Sequence, residues 1–195
     1  MTGKKIDKRY KYHKLNRIKI GDTISLSTRV YAISYNSGLK RLSRVKEKPL
    51  SDSDINRLIK EKKLSRPVLI LYNNPFHKYM IAASLTTKEK KKYHAFNIEK
   101  YSEIVNNKNI KSKSIKYELL IINKERNHIK NYLDNANIFN HLSKQIVGDY
   151  LSNLKKYKPE ISKAIKILKD QIEIEVDLLK ENNKLSEEIR KIKNK

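Results

Sequence analysis

Arg66, Thr86, Thr87, Lys88, Lys90, Lys91, Lys92, Tyr93 and His94 are the residues of this chain whose types and spacing could do chemistry together. Arginine offers a planar fork of donors that fits a phosphate. A threonine hydroxyl can hold a phosphoryl oxygen at close range. Lysine, histidine and tyrosine add donors or move a proton. Such a set suits cleavage of RNA, whose own 2′-OH is the nucleophile. The protein then positions the scissile phosphate, stabilises charge building on its oxygens and handles two protons. DNA lacks that hydroxyl, so a site of this kind selects RNA. The plain alternative is a solvated lysine turn, with Arg66 before Pro67 closing a strand.

The elements that must position these residues are two apolar runs, Val68–Tyr72 and Tyr79–Ser84, joined by the turn residues Asn73-Asn74-Pro75. Paired as a hairpin, they bring Arg66 and Thr86-Thr87 to one edge of a sheet. The Lys88–Lys92 run then lies beside them as an electrostatic funnel. Tyr93–Ile98 reads as a third strand pairing with the second across this basic hairpin. Ile18–Leu26 alternates as a half-buried strand with a bend at Gly21-Asp22, and Arg29–Tyr35 reads as another strand ending at the turn Asn36-Ser37-Gly38. Ser51–Lys63 opens on capping residues and reads as a short helix. Glu99–Asn107 reads as a second short helix, residues 106–114 as a polar loop, and Tyr117–Ile122 as a strand. Ile138–Leu154 has one apolar helical face. Pro159 opens a last helix striped by Ile161, Ile165, Leu168, Ile172, Val176 and Leu179, interrupted at Asn182-Asn183 and resumed at Ile189 and Ile192. That helix either packs on its own domain or pairs with another chain, Asn at the seam setting register.

Charge supports a polyanionic partner. The chain of 195 residues carries a net charge of +24. The excess is uneven: residues 1–50 hold 14 basic and 3 acidic side chains, residues 159–195 hold 9 and 8. Codon bias toward lysine (36 Lys against 9 Arg) does not by itself produce that asymmetry. Residues 1–17 form a basic arm in which Tyr10 and Tyr12 sit among Lys8, Arg9, Lys11 and Lys14. This pattern suits single-stranded nucleic acid or a solvated tail alike. The absence of Cys excludes disulfides, a thiolate nucleophile and cysteine-ligated zinc. The four Gly allow no phosphate loop, and the five His (His13, His77, His94, His128, His141) show no metal-ligand spacing. No metal or other cofactor is expected, and no apolar run is long enough to span a bilayer.

RPVLIL, then a turn, then MIAASLTTK, resembles the core motif of the MazF/PemK family of toxin ribonucleases. GDTISL is similar to that family's opening strand, and YELLIINKERNHI to its closing strand and helix. RVYAISYNSGLKRLSRV, HKYMIAASLTTKEKKKYH and HLSKQIVGDYLSNLKKYKPEISKAIKIL resemble the type III, RNA-inhibited, ToxN-like branch. The resemblance covers roughly residues 18–175 in patches, and only Arg66–His94 is specific. It implies an α+β fold: a small SH3-like β-barrel with packed helices and a long C-terminal helix. It also implies a metal-independent endoribonuclease that leaves a 2′,3′-cyclic phosphate and a 5′-OH. The family's arginine falls on Arg66, its threonine and serine on Thr86 and Thr87, its lysine on Lys88 or Lys90, and its Trp-His end on Tyr93-His94. Ser84-Leu85 replaces the family's Pro-Leu, two extra residues lengthen the basic hairpin, and an added helix separates Gly21 from Arg66.

The expected organisation is an arm (1–17), a barrel domain (18–156) with a helical insertion near 51–64, and a C-terminal helix (157–195). The expected function is that of a cytoplasmic toxin of a toxin–antitoxin system. Its catalytic residues would be Arg66, Thr86 and Thr87, with RNA bound by Lys88, Lys90–Lys92, Tyr93 and His94. Tyr31 and Tyr79 would pack or stack. Its partners would be RNA, an RNA or protein antitoxin and a second copy. The rival is a non-catalytic nucleic-acid-binding protein dimerised through its last helix.

Overall fold

Two long apolar strands set the architecture. In the computed structural model, which describes residues 17–43, 46–61, 65–88, 90–101, 113–126, 129, 133, 136 and 138–193, they are β2 (Ser65–Asn73) and β3 (Tyr79–Thr86). Both are longer than their apolar runs. β1 (Asp22–Ser27) pairs with β2, and β7 (Ile138–His141) pairs with β1. The other edge of β3 is shared. Its first half pairs with β6 (Leu120–Asn123), and its end, Leu85-Thr86, pairs with β5 (Ser114–Lys116). β4 (Ala95–Asn97) pairs with β5. The result among the described residues is one antiparallel sheet of seven strands, six in the order β4-β5-β3-β2-β1-β7 and β6 off this path on β3, curled into a half-barrel. A register shift between Ile70 and Tyr72 adds to the bend.

Four helices complete this α+β fold among the described residues: α1 (Thr28–Arg41), α2 (Asp52–Lys60), α3 (Lys144–Tyr157) and α4 (Pro159–Lys193). Strand alternation sends Val68, Ile70, Met80 and Ala82 to one face, where they meet Val30 and Tyr31 of α1. Leu69, Leu71, Ile81, Ala83 and Leu85 go to the other, against Ile146, Tyr150 and Leu154 of α3 and Ile161, Ile165, Ile172 and Val176 of α4. α4 is also pinned to the β2–β3 turn. The buried His77 accepts from the Tyr79 amide through Nδ1 (3.1 Å), which leaves Nε2 to donate to Glu175 (2.8 Å). Lys124, 2% exposed, donates to Asn73 Oδ1 (2.9 Å) and the Asn74 carbonyl (2.7 Å), and burial pushes its ammonium down to about 8.

Several sequence expectations are corrected. Arg29–Tyr35 is helix, not strand. Ser27 caps it by accepting the Val30 amide at 3.3 Å, and in so short a window RVYAISY serves either period. Asn36-Ser37-Gly38 continues this helix instead of turning. Asn36 pairs with the Leu50 backbone, and Gly38 lets α1 close on the sheet, because a Cβ there would lie 1.7 Å from the Leu119 carbonyl oxygen. The strand after the basic segment is β4, and its partner is β5, not β3. The stretch 106–114, read as loop, ends in the first residue of β5, and the strand expected at Tyr117 begins at Leu120. Ile138–His141 is strand, and helix α3 starts only after its cap Ser143. The bend near Gly21 is present at φ +95°, and β1 begins just after it. The Ser51 helix is confirmed with its capping box. Arg17 of the basic arm donates to the Leu133 and Ala136 carbonyls. The rest of that arm, with Tyr10, Tyr12 and His13, lies outside the described residues, as do His128 and positions 102–107 of the helix read at Glu99–Asn107. Glu99 and Lys100 themselves form a turn.

Candidate functional site

The β2–β3 ladder pairs Val68 with Ser84, so Arg66 and Thr86 each lie two residues beyond that pair, on the same face. Arg66 is also the register partner of Leu26 in β1, Thr86 of Ser114 in β5, and Ser114 of Asn97 in β4. Extending the β2–β3 ladder by two residues puts Leu26, Arg66, Thr86, Ser114 and Asn97 in one row. Register partners of antiparallel strands share a face. This face is the one α1 covers.

Arg66 is half-buried, its guanidinium 4.9 Å from the centre of the Tyr31 ring. Its Nε is buried without a hydrogen-bond partner. No described residue forms an ion pair with it. An arginine held by an aromatic face keeps its donors for something else. Beneath it Tyr31 donates to Glu118 (3.2 Å), Ser84 hydrogen-bonds both Glu118 and the Tyr31 hydroxyl, and Lys116 Nζ lies 2.9 Å from the other Glu118 oxygen. Ser84 and Tyr31 are buried and the Glu118 side chain is 11% exposed. Burial first, and the Glu118 charge second, push the Tyr31 hydroxyl far above its usual range, so it stays neutral. This network fixes the ring on which Arg66 lies.

Thr86 is anchored on both sides. Its carbonyl accepts the Lys113 amide at 2.8 Å, and its Oγ1 accepts the Lys88 amide at 3.2 Å, which leaves the O–H proton free to donate. Next to it across the ladder, Ser114 is fully buried and its Oγ has no partner. Arg66 Nε and Ser114 Oγ are the two such orphan atoms among the described residues, and they flank Thr86. Buried polar atoms are rarely left unpaired, because each costs about 1–3 kcal/mol.

The structure thus gathers Arg66 and Thr86 into one row. Thr87 and Lys88 follow at the exposed end of β3. Lys90, Lys91, Lys92 and Tyr93 do not join that row. They line a separate cavity of about 510 Å³ along β4. His94 is exposed beside Tyr93, ring centres 4.4 Å apart. Tyr31 serves as the platform for Arg66, and Tyr79 packs on the second core beside His77. Sequence reading passed over Ser114, Glu118 and Lys116. Ser84 carried a signal, as a polar residue inside an apolar strand. Ser114 carried none, because β5 is three residues long and begins in a polar stretch. Among the described residues no group of His, Asp and Glu is placed to hold a metal, and no helix is long and apolar enough to cross a membrane. No family model, curated protein or solved structure matches the chain.

Proposed function

We propose that this chain is an endoribonuclease toxin of a toxin–antitoxin system, with an SH3-like barrel of the MazF/PemK type and closest in kind to the type III, ToxN-like branch. The observation that carries the reading is the arginine with its donors uncommitted, stacked on a neutral tyrosine and two residues past the pair that also leads to Thr86. In this reading Arg66 clamps the scissile phosphate and stabilises the charge of the transition state. Thr86 donates to a phosphoryl oxygen, and Thr87 contacts the phosphate or the 2′-OH. The 2′-oxygen attacks phosphorus, the P–O5′ bond breaks, and a 2′,3′-cyclic phosphate and a 5′-OH result. One proton leaves the 2′-OH and one reaches O5′. Lys88, Lys90 and His94 are the groups assigned to that traffic and, with Lys91, Lys92 and Tyr93, to holding RNA. The mechanism asks for no cofactor, because the nucleophile is the substrate's own. An RNA or protein antitoxin would cover the same basic face in the cytoplasm.

The test is end-labelled single-stranded RNA incubated in EDTA with wild type and Arg66→Ala. Cleavage by wild type alone, leaving cyclic-phosphate ends, is the expected result. Intact RNA in both lanes with a gel shift would move the reading to its rival, a non-catalytic nucleic-acid-binding protein. One observation favours that rival. Beyond Val176, α4 leaves Leu178, Leu185, Ile189 and Ile192 more than half exposed, a stripe suited to pairing with a second copy.

A further inference from the structure

The cavity of about 510 Å³ opens along the outer edge of β4, between the lysine run and α3. It is lined by Lys90–Lys92, Tyr93, Asn97, Tyr117 and Asn153. Its size falls in the range of small-molecule sites. Asn97 ties it to the row described above. Thr86 pairs with Ser114 and Ser114 with Asn97, so Asn97 stands two strand spacings, about 10 Å, from Thr86.

The two asparagines are half committed. Asn97 Oδ1 accepts the Glu99 amide at 2.8 Å, and no described residue takes up its Nδ2. Asn153 Nδ2 donates to the Asp149 carbonyl at 2.8 Å, and no described residue takes up its Oδ1. The lining therefore has one amide donor and one amide acceptor to spare. The edge of an unstacked nucleobase carries the matching pair. Tyr93, 44% exposed, offers an aromatic surface, and the lysines supply cations for the flanking phosphates.

We propose that this cavity receives the base of a nucleotide adjoining the phosphate held at Arg66 and Thr86, and that Asn97 and Asn153 determine which base is accepted. The placement of the phosphate rests on the ribonuclease reading. The base site itself does not require that anything is cut.

The experiment is fluorescence anisotropy of the full chain with short labelled homopolymers of A, C and U at one salt concentration, for wild type, Asn97→Ala, Asn153→Ala and the surface variant Tyr93→Leu, with folding checked by circular dichroism. Wild type should prefer one homopolymer by about tenfold, the discrimination expected of one paired base edge. Each asparagine variant should flatten that preference, keeping its affinity for the least favoured homopolymer, and Tyr93→Leu should weaken all three about tenfold. Equal binding of the three by wild type, or a preference that survives both asparagine substitutions, overturns the proposal. If an asparagine variant does not fold, undiminished binding by Tyr93→Leu overturns it instead. A preference that collapses as expected while labelled RNA stays uncut upholds the base site and removes the ribonuclease.

Discussion

Ser114→Ala separates a functional hydroxyl from a structural one. Ser114 is fully exposed to neither water nor a partner: its residue is buried and its Oγ makes no hydrogen bond. Leaving a buried hydroxyl unpaired costs about 1–3 kcal/mol. Alanine removes that cost and leaves only a one-atom gap, so the folded state should gain about 1 kcal/mol. For a chain of this size that corresponds to a melting temperature higher by about 2–4 °C. Cleavage should stay as it is. A hydroxyl buried this completely is closed to a phosphate bound at Thr86, so kcat/KM should stay within about twofold. Thermal melts followed by circular dichroism and initial rates on a labelled RNA in EDTA measure the two effects independently. A lower melting temperature would refute the reasoning. It would mean that ordered water already satisfies the hydroxyl. Ser84→Ala provides the contrast, since Ser84 is fully bonded to Glu118 and Tyr31 and its loss should destabilise the fold by about 1–3 kcal/mol.

Further expectations concern pH and packing. Folded Lys124 titrates near 8 against 10.5 when unfolded, so between those values the unfolded chain binds more protons and stability rises with pH. The buried hydroxyls of Tyr31, Tyr117 and Tyr150 are raised above 10, so above pH 10 the unfolded chain loses protons first and stability falls again. Urea midpoints at pH 7 and 9.5 should therefore differ in wild type, and the part of the rise due to this lysine should vanish in Lys124→Met. Gly38→Ala should cost at least about 3 kcal/mol, because its Cβ meets backbone at 1.7 Å and α1 must lift from Leu119; an unchanged melting temperature would contradict that packing. Ending the chain after Asp177 should leave the melting temperature within about 2 °C, since Val176 is the last α4 residue in the core. A larger fall would show that the exposed stripe contributes to stability through another chain.

The parts of the fold legible in the sequence are those where one period dominated. β2 and β3 are runs of Val, Leu, Ile and Ala buried on both faces, and their turn is set by Asn74 and Pro75. α2 announces itself through Ser51 and Asp54. The misread elements are those whose local pattern served two periods or too few residues. RVYAISY alternates, yet the Ser27 cap and the burial of Val30 and Tyr31 against the sheet make it helix. Ile138–His141 fits a helical face, yet Ser143 begins the helix and β1 claims the strand.

The candidate site divides along the same line. Arg66 and Thr86 could be placed together from sequence because hairpin arithmetic needs only one register. Ser114 and Asn97 could not, because β5 and β4 come from segments of three residues whose pairing is decided by the sheet's curl. The curl follows from a division of labour on β3. Residues Tyr79–Ala82 are taken by β6, so β5 finds only Leu85 and Thr86 to pair with. That forces Ser114 against Thr86 and puts β4, with Asn97, at the rim. The Ser114 hydroxyl buried there lies between two paired strands, and no described residue bonds it. The same geometry that closes the sheet thus produces both the orphan atom beside Thr86 and the open edge where the cavity lies. A substitution that straightened β3 would disturb both together, whereas Ser114→Ala and Asn97→Ala address them one at a time.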